Sequence, residues 1–171
     1  MKLILFQRDT GLINRMSPAL TTCLCVFISV VPVHLPGFAA VTPAFALMAV
    51  YHWTIYRPDL LPFIAAFAAG LLLDLLNGAP LGISSLVLLL TRGVVLSQRR
   101  FFVGRSFPVV WAGFLAAAAI ANVFDWAFFS LYYGLLLDIR PALFQAVLTM
   151  SCYPAMSYVL GQVQRGLLVR G

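Results

Sequence analysis

Long apolar runs alternate along the chain with short segments rich in proline, glycine and charged residues. The runs occupy residues 16–35, 38–56, 60–76, 81–97, 107–137 and 141–163. A helix that crosses a bilayer needs about 20 residues, with a range of about 17–25. The third and fourth runs are at the short limit of this range, and the fifth is too short for two crossings. The pattern therefore predicts six transmembrane helices.

The composition supports a membrane protein. Hydrophobic residues make up 63% of the chain and charged residues 9%, and the mean hydropathy is +1.00. Soluble domains carry about 25% charged and about 45–50% apolar residues. So few charges could not cover the surface of a water-soluble domain of this size. We expect an all-α integral membrane protein, with residues 1–171 forming a single transmembrane domain.

The basic residues predict the orientation of the bundle. If the N-terminus is cytoplasmic, six crossings place all of the 11 Lys and Arg residues except Arg140 on the cytoplasmic side. The cytoplasmic group is Lys2, Arg8, Arg15, Arg57, Arg92, Arg99, Arg100, Arg105, Arg165 and Arg170. Cytoplasmic loops of membrane proteins carry such an excess. Both termini of this multi-pass membrane protein are therefore predicted to lie in the cytoplasm.

The net charge of +6 does not indicate nucleic acid binding, because the basic residues stand between apolar runs and form no basic face with interleaved aromatic residues. Arg92, inside the fourth run, is predicted to extend towards the lipid headgroups. Arg99, Arg100 and Arg105 form a cluster after that run, which is predicted to contact anionic lipid or an acidic cytoplasmic partner.

Two acidic residues lie within apolar runs, where a charge is costly unless it faces protein or water. Asp74 belongs to the third run and Asp125 to the fifth. On the third helix Ala66, Gly70, Asp74 and Asn77 lie at i, i+4, i+8 and i+11, and therefore on one face. Small residues on such a face let a neighbouring backbone approach closely. The spacing predicts a helix-packing face that ends in a carboxylate.

The fifth and sixth runs carry similar polar stripes. On the fifth helix Ala117 and Ala121 precede Asp125 at helical spacing, with Asn122 beside them, and the sixth helix offers Gln145, Thr149 and Cys152. In one interpretation these polar groups only hold the bundle together. In the other they line a pathway or pocket for an ion or a solute. The sequence leaves both interpretations open.

The residues needed for catalysis are scarce. The chain has two histidines, His34 and His52, and its motifs include no glycine-rich phosphate loop and no metal-binding histidine or carboxylate cluster. His52 is predicted to be an interfacial or helix-packing residue and not a catalytic base. The three cysteines all lie in apolar runs, as small buried residues do. We therefore expect no enzymatic activity, no cofactor and no metal site.

The stretch GLLLDLLNGAPLG at residues 70–82, preceded by YRPD at residues 56–59, resembles the central signature of the rod shape-determining MreD family. The basic C-terminus and several later residues also fit that family's pattern, namely Asp125, Arg140, Pro141 and Pro154. The strongest matches are Gly70, Asp74, Pro80, Gly82, Arg140 and Pro141. No catalytic residues are implied by the resemblance.

The resemblance implies a multi-pass protein of the bacterial inner membrane that is a scaffold or regulatory component of the cell-wall elongation machinery and maintains rod shape. Its implied partners are membrane lipid, a periplasmic shape protein of the MreC type, an MreB-like filament and a RodA–penicillin-binding-protein synthase. The candidates for helix packing or partner contact are Ala66, Gly70, Asp74, Asn77, Pro80, Gly82, Asp125, Arg140 and Pro141.

The alternative function is a small-solute or vitamin-binding transporter subunit, similar to the substrate-binding components of energy-coupling-factor transporters. Such a pocket combines apolar walls with a few convergent polar groups. Asp74, Asn122, Asp125 and Gln145 are the candidates for those groups. The sequence supplies them but does not show that they converge.

Overall fold

The computed structural model describes the backbone of residues 2–31 and 42–168 and the side chains of residues 16–31 and 42–166. Within these ranges it has six α-helices, a short 3-10 helix and no strand. The helices are α1 (Lys2–Val30), α2 (Phe45–Tyr56), α3 (Phe63–Asn77), α4 (Ile83–Phe102), α5 (Phe107–Tyr133) and α6 (Arg140–Leu168), and the 3-10 helix is Pro58–Leu60. The all-α prediction is confirmed.

The helix bounds differ from the apolar runs at several places. Helix α1 begins at Lys2, well before the first run, and α4 continues through the predicted connecting residues Arg99 and Arg100 to Phe102. Basic residues in a last helical turn interact favourably with the helix dipole, so they extend α4 and do not end it. Helix α5 stops at Tyr133 because Gly134 adopts a left-handed conformation, with φ 64°. The predicted start of the second span lies partly outside the described residues.

Helix α2 occupies the centre of the bundle. Ten of its 12 residues, from Ala46 to Ile55, are buried. A helix that is apolar on every side is stable only when other elements surround it. It packs against α1, α4 and α6, and more lightly against α3 and α5. A second set of contacts, α3 with α4, α4 with α5 and α5 with α6, closes the bundle around it.

Polar and aromatic contacts fix α2 in the bundle. The indole N–H of Trp53 donates to the Thr21 hydroxyl of α1 at 3.0 Å, and the Tyr51 hydroxyl donates to the Val110 carbonyl of α5 at 3.0 Å. The Tyr51 ring also meets Phe114 edge-on, with centroids 5.2 Å apart. These contacts place the C-terminal end of α2 beside the N-terminal half of α5.

The bundle has two chemically different ends. We call the end that carries residues 78–82 and 134–139 the turn end. The opposite end, where α2, α4 and α6 finish and α5 begins, we call the basic end, because it carries Arg57, Arg99, Arg100, Arg105 and Arg165.

The outer surface of the bundle is strongly apolar. Leu20, Ile64, Val123 and Val147 are each at least 60% exposed. Two of the described helical stretches, Phe107–Tyr133 and Arg140–Gly166, are long and apolar enough to cross a membrane, whereas Met16–Val30 and Phe63–Asn77 are apolar but shorter. Exposed apolar surface of this extent is unusual for a water-soluble monomer and suits contact with lipid.

Candidate functional site

The carboxylate of Asp74 connects α3 to the beginning of α4. Its side chain is fully buried and accepts hydrogen bonds from the backbone N–H of Gly82 at 2.8 Å and of Ser84 at 3.1 Å. The first N–H groups of a helix have no partner within the helix, and the helix dipole favours a negative charge there. Asp74 therefore caps α4 from the preceding helix.

The backbone around the turn is set by two glycines. Gly78 ends α3 with φ 63°, and Gly82 precedes α4 with φ 103°. Both values lie in the left-handed region, which a residue with a Cβ adopts only with strain. The carbonyl of Asp74 also accepts the N–H of Ala79 at 2.9 Å. The side chain and the carbonyl of one residue thus hold both halves of the turn.

Gly70 lies at the closest approach of α3 to α4. A Cβ at this position would be 2.5 Å from the backbone nitrogen of Ser85, which is too close for any side chain. The Ser85 hydroxyl donates to the carbonyl of Phe67 across the same contact at 3.1 Å. Ala66, one turn earlier, is fully buried.

The predicted face of α3 is therefore divided. Ala66, Gly70 and Asp74 are buried, whereas Asn77 at the end of the helix is exposed. Pro80 is partly exposed in the turn, where its carbonyl accepts the N–H of Ile83 at 3.5 Å. The part of this segment up to Asp74 is therefore packed inside the protein. The residues that follow Asp74 form its surface.

A small cavity near the turn end brings together three of the four predicted pocket residues. It has a volume of about 90 Å³ and is lined by Asn122, Asp125 and Gln145, among others. Asn122 donates to the carbonyl of Ala118 at 2.9 Å, and Gln145 donates to that of Thr42 at 3.1 Å. Because a water molecule occupies about 30 Å³ of liquid, the cavity suits a few waters. Asp74 does not line it, since its carboxylate is turned towards α4.

Arg92 lies inside the protein, and the prediction that it reaches the headgroups is wrong. Its side chain is 4% exposed. The guanidinium donates to the Thr54 hydroxyl at 3.4 Å and to the Pro58 carbonyl at 3.2 Å, and it lies 4.5 Å from the centre of the Phe63 ring. Helix α2 ends next to this part of α4, which brings these acceptors within reach of the guanidinium. Arg92 thereby links α4 to the chain between α2 and α3.

The three clustered arginines at the end of α4 have different surroundings. Arg99 is half-buried and donates from Nε to the carbonyl of Ile55 at 2.9 Å. Arg100 is exposed, and Arg105 is exposed with its guanidinium 5.2 Å from the centre of the Phe101 ring. Arg99 therefore holds α4 to the end of α2, while Arg100 and Arg105 are free to meet lipid or a partner.

The last pair of predicted residues, Arg140 and Pro141, begins α6 at the turn end. Both are exposed, and the Arg140 N–H donates to the Asp138 carboxylate at 3.0 Å. The preceding connection exposes Leu135 at 68% and Leu136 at 88%. Arg140 and Pro141 therefore belong to an apolar rim at the turn end and take no part in the Asp74 contacts.

The sequence interpretation missed a larger cavity at the basic end. It has a volume of about 510 Å³ and lies between the end of α2, the start of α5 and the end of α6. His52, Tyr153 and Arg165 are among its lining residues. The position of His52 within an apolar run gave no indication of a binding role. The polar sequence Gln162, Gln164 and Arg165 near the end of α6 was the signal that could have indicated a site.

No group of three His, Cys, Asp or Glu side chains close enough to hold a metal ion occurs among the side chains of residues 16–31 and 42–166. Three buried or half-buried polar side chains bind backbone. Asp74, Arg92 and Arg99 each contact main-chain atoms of another segment. This arrangement serves to position helices.

Comparison with known proteins supplies a family. A family model described as "rod shape-determining protein MreD" matches residues 12–163 of the 171-residue chain. Comparisons with curated proteins and with solved structures find no match. The match includes α2 to α5 completely, together with the Asp74 turn and most of α1 and α6.

Proposed function

The chain belongs to the family of rod shape-determining protein MreD, and on this premise we propose that it is a non-catalytic scaffold of the machinery that elongates the lateral cell wall. The family resemblance of residues 70–82 is confirmed by the match. The observation that carries the proposal is that the buried Asp74 carboxylate at the turn end binds the backbone of the next helix. A carboxylate bound in this way holds the turn rigid, so that the exposed side chains of the turn form a fixed surface for docking.

We propose that all six helices cross the inner membrane, with the basic end in the cytoplasm. The positive-inside rule supports this orientation, because Arg57, Arg99, Arg100, Arg105 and Arg165 share one end and Arg140 lies at the other. Thinning of the bilayer around short helices would accommodate α3. The turn end then faces the periplasm.

The exposed side chains at the turn end supply the docking surface for a periplasmic partner of the MreC type. Leu81 in the α3–α4 turn is 64% exposed, and Leu136 in the α5–α6 connection is 88% exposed. Apolar side chains held on a rigid turn lose little freedom on binding, which favours association. Arg100 and Arg105 would face the cytoplasmic partners, the MreB-like filament and the RodA–penicillin-binding-protein synthase.

Gly70 and Asp74 contribute to this docking indirectly. Both are buried against α4, so neither presents a side chain to a partner. Their role in the proposal is to fix the position of Leu81 and its neighbours. Arg140 and Pro141, which are exposed, remain candidates for direct contact.

The alternative function of a solute-binding transporter subunit receives less support. Its four candidate residues do not share a cavity, because Asp74 is engaged with α4. The cavity that the other three line has about 90 Å³. Pockets for small molecules of drug or vitamin size have about 300–1,000 Å³.

A photo-crosslinking amino acid at Leu81 tests the docking surface. We expect it to form an adduct with the MreC-like protein in growing cells, because Leu81 is exposed on the rim that Asp74 holds in place. The matched control is the same amino acid at Val123, which is 63% exposed on the side of α5. Adducts at both positions in equal yield, or at neither, would remove the Asp74–Gly82 turn from the docking surface.

A further inference from the structure

The cavity at the basic end has the dimensions of a ligand site. Its volume of about 510 Å³ falls within the range of about 300–1,000 Å³ that small-molecule sites occupy. It is formed between helices α2, α5 and α6 and is open at the mouth, where Phe107, Tyr158 and Arg165 are all exposed. A molecule could therefore reach it from the surface of the bundle without unfolding it.

His52 is a buried polar group without a partner in this cavity. The residue is 3% exposed, and neither ring nitrogen has a hydrogen-bond partner of good geometry among the described residues, although the Gln164 side chain in the same cavity lies close enough to interact with the imidazole. Burying a polar group without a hydrogen bond is unfavourable. Its aromatic neighbours Trp53 and Tyr56 contact the ring but provide no acceptor or donor to it. A bound molecule with a polar head would satisfy it.

The charge of the lining residues favours a polar head group that is negatively charged. Arg165 is on the cavity wall, and the described residues that line the cavity include no carboxylate. The amide of Gln162 donates to the Tyr158 hydroxyl at 3.0 Å, which leaves the hydroxyl proton free to donate into the site. Arginine, imidazole N–H and phenol O–H are all donors that suit a phosphate group.

Part of the remaining wall is apolar. Phe107 and Val110 of α5 and Pro154 of α6 form part of the lining. A free inorganic anion would gain nothing from these residues, whereas the carbon chain of an amphiphile would bury surface against them. The site therefore combines a place for a phosphate with a place for the first part of a hydrocarbon chain.

We propose that this cavity binds one anionic phospholipid, with its phosphate between Arg165 and His52 and its acyl chains leaving along α5 and α6. The inference goes beyond the proposed scaffold function and does not depend on the periplasmic docking surface. It also differs from general attraction of the basic end to anionic lipid, because it requires one specific cavity.

Native mass spectrometry of the full chain tests the proposal. The protein is reconstituted in nanodiscs with equal amounts of phosphatidylglycerol and phosphatidylcholine of the same chain length, and is then released into detergent. We expect one retained phosphatidylglycerol per chain. Arg165→Gln is expected to reduce the retention about fivefold, since one basic residue near an anionic headgroup contributes about that factor. Arg105→Gln is the matched control, because Arg105 is exposed at the same end but does not line the cavity.

A second variant separates binding from folding. His52→Phe removes both unpartnered nitrogens, so it should leave the melting temperature in phosphatidylcholine nanodiscs unchanged or higher. It should also remove the rise in melting temperature that phosphatidylglycerol gives to the wild type. If His52 had a purely structural role, the substitution would lower the melting temperature in phosphatidylcholine nanodiscs and leave the rise caused by phosphatidylglycerol intact. That result would contradict the proposal.

The other outcomes are equally decisive. Equal retention of the two lipids, or equal loss in the Arg165→Gln and Arg105→Gln variants, would show general lipid attraction and overturn the specific site. Inorganic phosphate at millimolar concentration is expected to leave the retained lipid in place. If it displaced the lipid and stabilised the protein to the same extent, the ligand would be a free anion and the phospholipid assignment would fail.

Discussion

Gly70→Leu is expected to abolish most of the rod-shape function, because it separates α3 from α4. The new side chain would begin 2.5 Å from the Ser85 backbone nitrogen, and a helix backbone cannot move aside as a flexible side chain can. Overpacking costs about 1–3 kcal/mol and occasionally more, and we expect a value of about 3 kcal/mol here. For a chain of this size that corresponds to a melting temperature lower by about 6–12 °C.

Gly93→Leu is the matched control for this substitution. Gly93 lies inside α4, and a Cβ there would meet no atom within 4 Å. The two variants therefore add the same side chain to a helical glycine, and only the first adds it at a helix contact. Melting temperature in detergent and rescue of shape in cells depleted of the native protein would be measured for both. Equal effects of the two substitutions would contradict the close approach of α3 and α4.

Asp74→Ala is expected to have the second largest effect. It removes both acceptors of the Gly82 and Ser84 N–H groups and leaves these donors unsatisfied at the start of α4. A hydrogen bond to a charged group contributes about 1.5–3 kcal/mol, so the loss of two should exceed about 3 kcal/mol. We expect a lower yield of folded protein, a lower melting temperature and weaker crosslinking from Leu81.

Two further variants make the Asp74 experiment specific. Asp74→Asn retains one oxygen acceptor and should lose about half as much stability as Asp74→Ala. Asp59→Asn removes a carboxylate that is exposed in the 3-10 helix, and it should leave the melting temperature unchanged. If Asp74→Ala were as stable as the Asp59 variant but inactive in cells, Asp74 would act in chemistry or direct contact and not as a helix cap.

The helical face of α3 could be predicted from sequence because its cause is local. Spacing alone placed Ala66, Gly70 and Asp74 on one side, and small residues on such a side mark a close helix contact. The partner of the Asp74 carboxylate could not be predicted, since its two donors belong to the backbone of the next helix. Only the geometry of the turn, with Gly78 and Gly82 in left-handed conformations, brings them within reach.

Arg92 shows why a residue inside an apolar run is hard to assign. Its sequence position suits a side chain that extends to the headgroups, and the flexible stem of arginine permits that. The buried position that Arg92 occupies depends on where α2 ends. The carbonyl of Pro58 and the hydroxyl of Thr54 can accept its hydrogen bonds only because that end packs beside it. Contacts between distant segments of this kind are fixed by tertiary packing.

The cavity at the basic end was missed for a related reason. His52, Tyr153 and Arg165 belong to two helices that are far apart in sequence, and each fits its own helix without a binding role. The predicted pocket residues had a clearer periodic pattern but enclose a much smaller space. Periodicity identifies the face of a helix, whereas cavity volume depends on how several faces meet.

Labelling of single cysteines from either side of the membrane tests the central claim most directly. Cys23, Cys25 and Cys152 would first be replaced with alanine, and a cysteine would then be introduced at Leu81 or at Arg105, which are exposed at opposite ends of the bundle. In intact spheroplasts a membrane-impermeant maleimide should label the Leu81→Cys protein and should label the Arg105→Cys protein only after lysis. Labelling of the Arg105→Cys protein before lysis, with protection of the Leu81→Cys protein, would contradict the orientation on which the docking proposal depends.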